Sequence, residues 1–194
     1  MYRFIIIKLS LLILHFASIA QDLPSVLITY YSQSGNTKTM AEAIARGVSA
    51  STCVAFQVKP IQEVTESELL LAEAIILGSP VYNGNMPPQV QEFINTWPFE
   101  NRPFKDKLGA VFVTGGGFSI GEEHVMFSLI RSMLIHGMVI MGGEEVESSF
   151  GASAITGEGD FGGKEMDEHF LLKGEGLGKR VATWICSNRN PKHQ

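Results

Sequence analysis

This sequence predicts a parallel β-sheet covered by helices on both faces, and three observations predict it. Apolar runs alternate with helical patterns along the chain. The runs are apolar throughout rather than alternating, as strands buried on both sides must be. With 194 residues, 45% of them hydrophobic and 18% charged, the chain suffices for one domain with a real core and is too short for two ordinary ones.

The elements follow in order. SVLITY (25–30) is a short apolar run bounded by a turn signal, hence the first strand. Residues 37–50 place Met40, Ile44 and Val48 on one helical stripe. CVAFQV (53–58) is the second strand candidate, ESELLLAE (66–73) a short helix introduced by Thr65, and AIILG (74–78) the third strand. Residues 88–96 form a helix with Val90 and Phe93 on one face, and LGAVFVT (108–114) is the fourth strand. The long helix over 122–136 turns Met126, Leu129, Ile130 and Met133 to the core, and MVIM (138–141) is the fifth strand. Residues 142–164 form an irregular stretch longer than the roughly 12–15 residues of ordinary connections, so it is either functional or a solvated excursion. The closing helix spans 167–187, with Phe170, Leu177, Val181 and Trp184 as core contacts.

Ahead of this domain, residues 1–20 carry Arg3 and Lys8, an apolar run to Phe16, and Ser18-Ile19-Ala20. This three-part pattern predicts a signal peptide cut after Ala20, hence a periplasmic or secreted protein whose domain covers 21–194. A retained membrane anchor is the alternative, but Lys8 and His15 interrupt the run well short of the ~20 residues a spanning helix needs. A formal net charge of −5, with no basic stripe, argues against nucleic acid as a partner. The chain's two cysteines, Cys53 and Cys186, either pair or are inert buried thiols. No Cys-x-x-Cys or clustered His pattern marks a metal site.

In an open parallel sheet, ligands bind beyond the carboxyl ends of the strands. After the first strand stand Ser32, Gln33, Ser34, Gly35, Asn36 and Thr37: hydroxyl donors, a glycine for close approach, and the free amides of a helix start. That combination suits a phosphate, although Ser and Asn are also ordinary N-caps. Pro80, Val81, Tyr82, Asn83, Gly84 and Asn85 follow the third strand and offer a flat aromatic face with amides at its edge. Thr114, Gly115, Gly116, Gly117 and Phe118 follow the fourth, where glycines admit a planar ligand against the backbone.

Taken together, the three loops carry a resemblance. YYSQSGNTKTMAEAIARGV resembles the FMN phosphate loop and first helix of flavodoxin-like proteins. GSPVYNGNMPPQV and VTGGGFSIGEE resemble the ring-holding loops of NAD(P)H:quinone oxidoreductases of the WrbA type, and HGMVIM with SFGASAITGEGD is similar to the same branch. Where that branch usually has Arg-Phe-Gly-Asn, this chain has Tyr82-Asn83-Gly84-Asn85. The resemblance implies a flavodoxin-like three-layer sandwich with a five-stranded parallel sheet in the order 2-1-3-4-5. It implies FMN held by Ser32 to Thr37 at the phosphate, and by Pro80 to Asn85 and Thr114 to Phe118 at the ring. It also implies that His136 lies by the flavin of a neighbouring subunit in a homo-oligomer. NAD(P)H would be the electron donor and a quinone-like molecule the acceptor, with no catalytic side chain required. A one-electron carrier of the flavodoxin type and a domain without cofactor are the other readings. In the implied fold the first and last helices run parallel on one sheet face, which makes a Cys53–Cys186 disulfide sterically feasible.

Overall fold

A computed structural model describes residues 23–163 and 165–189. The leader expected over residues 1–20 lies outside the described residues. In chain order the elements are β1 (Ser25–Tyr30), α1 (Asn36–Ser49), β2 (Ala55–Pro60), α2 (Glu66–Leu71), β3 (Ala72–Pro80), α3 (Pro88–Asn95), β4 (Leu108–Gly115), α4 (Glu122–Ile135), β5 (Val139–Ile140), β6 (Ala152–Ile155) and α5 (Glu168–Arg189). All strands pair in parallel in the order β2-β1-β3-β4-β5, as expected, and β6 also pairs with β4.

The sixth strand corrects the sequence reading of residues 142–164 as wholly irregular. β5 holds only the start of β4, at Leu108 and Gly109, while β6 continues the same edge opposite Phe112 to Gly115. Between them the chain leaves the sheet at Gly142 and Gly143, turns through a 3-10 segment (Val146–Ser148), and returns past Gly151, which adopts a φ of 140°. The Gly143 and Gly151 amides both donate to the Ser148 carbonyl, at 2.7 and 2.9 Å, closing this excursion. The expected fifth strand over 138–141 is accordingly cut to Val139–Ile140. β2 is a second correction: it starts at Ala55 rather than Cys53, and as an edge strand it leaves Phe56 39% exposed instead of burying both faces.

Side chains alternate across the sheet and build two cores. Val26 and Ile28 of β1 and Ala110 and Phe112 of β4 face α1 and α5, where Met40, Ile44, Val48, Leu177 and Val181 meet them. Leu27, Ile75, Leu77, Val111 and Val113 face the other way, against Val90, Phe93, Ile94, Val125, Leu129 and Met133 of α3 and α4. α1 and α5 pack closely because glycines face each other's backbone. A Cβ on Gly47 would overlap the Glu175 carbonyl oxygen, and one on Gly178 would overlap that of Ile44. Cys53, just beyond α1, and Cys186, in the last turns of α5, are joined in a disulfide with Cα atoms 5.9 Å apart. The Ser51 hydroxyl lies 3.4 Å from one sulfur and 3.0 Å from the other.

Short α2 depends on its cap. The Thr65 side chain accepts the Glu68 N–H while the Glu68 carboxylate accepts the Thr65 N–H at 2.9 Å, a reciprocal box. The Lys59 ammonium, then the Thr65 amide, hold the Glu68 carboxyl down at about 2. At its other end Lys107 Nζ donates to the Leu70 carbonyl at 2.7 Å, and to that of Ala72, satisfying acceptors that a helix end leaves open.

Candidate functional site

Three of the four segments meeting at the carboxyl edge of the sheet are those singled out from sequence. The first, after β1, enters α1 through Gly35, whose φ of 95° is left-handed and which provides no side-chain cap. Ser32 Oγ instead accepts the Gly35 N–H at 3.1 Å, and Gln33, Ser34 and Gly35 are exposed. No acidic residue occupies the first turn of α1, so nothing offsets the positive end of that helix.

Side chains tie this segment to the others. Thr37 is 1% exposed and its hydroxyl lies 2.8 Å from that of Thr114, also buried, linking the β1 loop to the end of β4. Asn36 Nδ2 donates to Thr156 Oγ1 at 3.0 Å, linking it to the segment after β6. The Tyr82 hydroxyl donates to Gln33 Oε1 at 3.0 Å, linking it to the loop after β3. Partial burial, and then Tyr31 nearby, raise the Tyr82 phenol above its ordinary range, so it stays a donor at neutral pH.

The loop after β3 is a two-residue hairpin. Tyr82 and Asn85 exchange both backbone hydrogen bonds, at 2.8 and 3.0 Å, and Asn83 and Gly84 between them have φ values of 51° and 76°. Positive φ at both central positions is what an Asn-Gly pair accommodates most readily. Asn85 Nδ2 steadies the turn by donating to the Asn83 carbonyl at 3.0 Å. Pro80 ends β3, and Val81 is buried with its N–H donating to the Thr114 carbonyl at 2.9 Å, so these two support the hairpin rather than face outward.

After β4, Gly116 is exposed, and a Cβ placed on it would meet no atom within 4 Å, so the backbone there is open to a ligand. Phe118 stands 51% exposed at the rim. The sequence reading named no ligand-facing residue in the segment following β6, yet that segment closes the fourth side. The Thr156 N–H and hydroxyl both donate to the Gly115 carbonyl, at 2.8 and 3.1 Å, and Glu158 Oε2 accepts the Phe118 N–H at 2.7 Å. Phe161 packs between Phe118 and Phe170 with its ring tilted to both, at centroid distances of 6.0 and 4.8 Å. The signal for these residues was the glycine spacing of Gly157-Glu158-Gly159, which means little without a strand before it. Next to Ser119 a cleft of about 480 Å³ opens between α4, β6 and α5, lined by Glu122, Ser153, Phe170 and Lys173 among others.

His136 is not brought to these loops. It caps the carboxyl end of α4, at the opposite end of the sheet, and is 6% exposed inside a cage of Trp97, Phe99 and Phe104 at centroid distances of 5.2–5.5 Å. Burial, with Arg102 nearby, lowers its pKa, and Nδ1 has no hydrogen-bond partner. Within its own chain the ring packs among these aromatic side chains, of which Phe99 is itself exposed.

The fold and the loop arrangement agree with comparisons to known proteins. The family model described as Flavodoxin domain matches residues 27–117. An NAD(P)H dehydrogenase (quinone) of Acidovorax ebreus is 32% identical, the match covering 60% of this chain and 69% of the relative. A Flavodoxin of Aquifex aeolicus is 25% identical over 83% of this chain and 86% of its own length. Among solved structures, a flavodoxin, WrbA-like protein from Agrobacterium tumefaciens superimposes with a TM-score of 0.69 at 22% identity, covering 84% of this chain and 98% of that one. The chain belongs to the flavodoxin-like family, and relatives named NAD(P)H dehydrogenase (quinone) are among its homologues.

Proposed function

We propose that the protein binds FMN and passes electrons from NAD(P)H to a quinone or similar acceptor. The observation that carries this reading is the direct tying of the loop at the start of α1 to each of the other segments by Tyr82–Gln33, Thr37–Thr114 and Asn36–Thr156. The residues fit the cofactor. An uncapped helix start with Ser32, Ser34 and a left-handed Gly35 suits a phosphate dianion, and the open face of Gly116 beside the hairpin suits a planar ring. When bound, FMN supplies hydride acceptance and electron release. The chain's part is to grip the phosphate with hydroxyls and amides, to bound the ring with Tyr82 and the glycine loop, and to leave the 480 Å³ cleft beside Ser119 as room for a second molecule.

Titration of flavin-free protein with FMN, followed by flavin fluorescence, is expected to give one site per chain. Ser34→Ala and Thr37→Val should each weaken binding about tenfold, the equivalent of one hydrogen bond to a charged acceptor. Loaded protein bleached by NADH or NADPH and recoloured by a quinone supports the reductase. Loaded protein inert to both nucleotides supports instead the one-electron carrier, a reading favoured by the greater coverage of the Aquifex Flavodoxin.

A homo-oligomer is part of the same proposal. α4 is apolar on both sides: Val125, Leu129 and Met133 are buried, while Phe127, Leu134 and Ile135 are 42%, 52% and 63% exposed. Exposed apolar side chains toward the end of a helix whose other face is already buried suit a second partner there. Light scattering should give a multiple of the chain mass, and Leu134→Glu should yield the monomer with its flavin binding intact. Export is proposed as well, supported by the Cys53–Cys186 disulfide, since such bonds persist in oxidising compartments.

A further inference from the structure

The segment after β6 does more than close the site. Glu158 is exposed, yet its carboxylate is committed: Oε2 accepts the Phe118 N–H at 2.7 Å and occupies the space where a side chain on Gly117 would stand. Gly157 packs against the Gly116 carbonyl so closely that a Cβ there would come within 2.7 Å of its oxygen. The Thr156 bonds to the Gly115 carbonyl complete a clamp along Gly115 to Phe118. Glu158 carries the charge that bonds to this stretch; a second carboxylate, Glu122, accepts the Ile120 N–H at 3.2 Å and lies against Gly115, its Oε1 3.0 Å from where a Cβ there would stand.

We infer that Glu158 is a positioning residue with an electrostatic consequence. By holding the Phe118 amide it keeps the glycine loop in the shape on which a flavin ring packs, and its negative charge disfavours the reduced ring, so that it lowers the flavin's midpoint potential. The inference rests on the FMN reading of the site. Two physical facts carry it. A carboxylate bond to a backbone amide is stronger than a neutral one. Reduction at neutral pH adds negative charge to the flavin, and a fixed anion nearby opposes that. The side chain that gives the loop its form thus also sets how readily the ring takes electrons.

Glu158→Gln and Glu158→Ala separate the two effects, because Gln keeps an acceptor for the Phe118 N–H without the charge and Ala removes both. FMN titration is expected to show near-normal affinity in E158Q and about tenfold weaker binding in E158A. The midpoint potential of the bound flavin should rise in both. Unchanged affinity and potential in the two variants, with wild type binding FMN normally, overturn the inference and leave the site reading standing. Hydrogen exchange of the Phe118 amide in flavin-free protein tests the clamp apart from the cofactor. Protection in wild type and E158Q that is lost in E158A supports it, and equal exchange in all three overturns it. If wild type takes up no FMN, the site reading falls and the potential argument falls with it, while the exchange result still decides the clamp.

Discussion

Replacement of either Cys53 or Cys186 by alanine is expected to lower the free energy of unfolding by about 3–5 kcal/mol. The bond spans a sequence separation of 133 residues, so without it the unfolded chain regains the entropy of a very large loop. A domain of this size is stable by only about 5–15 kcal/mol, so the loss is a large share of the total. Each single variant should lose as much as the double variant, because removal of one sulfur already breaks the bond. Urea denaturation should show the midpoint falling and the m-value rising, since the uncrosslinked unfolded chain exposes more surface. Wild type treated with reductant should move to the midpoint of the variants. An unmoved midpoint, with two thiols open to alkylation in the untreated protein, would show that the bond is not made.

Within one helix, the same substitution should act with opposite signs. Gly178→Ala is expected to destabilise by about 2–3 kcal/mol, whereas Gly176→Ala should be neutral or stabilise by up to about 1 kcal/mol. Both replacements gain the helix propensity of alanine. At Gly178 the new methyl overlaps the Ile44 carbonyl of α1 and forces the two helices apart, straining the packing of Leu177 and Val181 against the sheet. At Gly176 the nearest atom to a new Cβ is Glu144 Cβ at 3.5 Å, ordinary contact distance. Thermal melts of the two variants check this directly, and a stabilised Gly178→Ala would mean that α1 and α5 are not in close contact.

Much of the architecture was legible in the sequence because it is local. Runs such as AIILG and LGAVFVT announce buried strands, and the Met40, Ile44 and Val48 stripe announces a helix on a sheet. The loops also announced themselves, since Asn83-Gly84 meets the φ demands of a hairpin and Ser34-Gly35 those of an open helix start. β6 was missed because ASAI is four residues long and mostly small, so its strand character comes from pairing with Phe112 to Gly115 rather than from its own composition. For the same reason the Gly157-Glu158-Gly159 spacing near Thr156 and Phe161 could not be read as a ligand loop.

By itself, then, the sequence determined the parallel α/β class, the order of its elements and the three loops that follow β1, β3 and β4, because strand burial, helix periodicity and turn chemistry are properties of neighbouring residues. Tertiary structure alone decided which distant residues meet. It split the fifth edge position between β5 and β6, set Glu158 on the Phe118 amide, enclosed His136 among aromatic rings away from the site, and brought Cys53 within bonding reach of Cys186. Each depends on contacts between residues far apart in the chain, which packing brings together and local sequence does not encode.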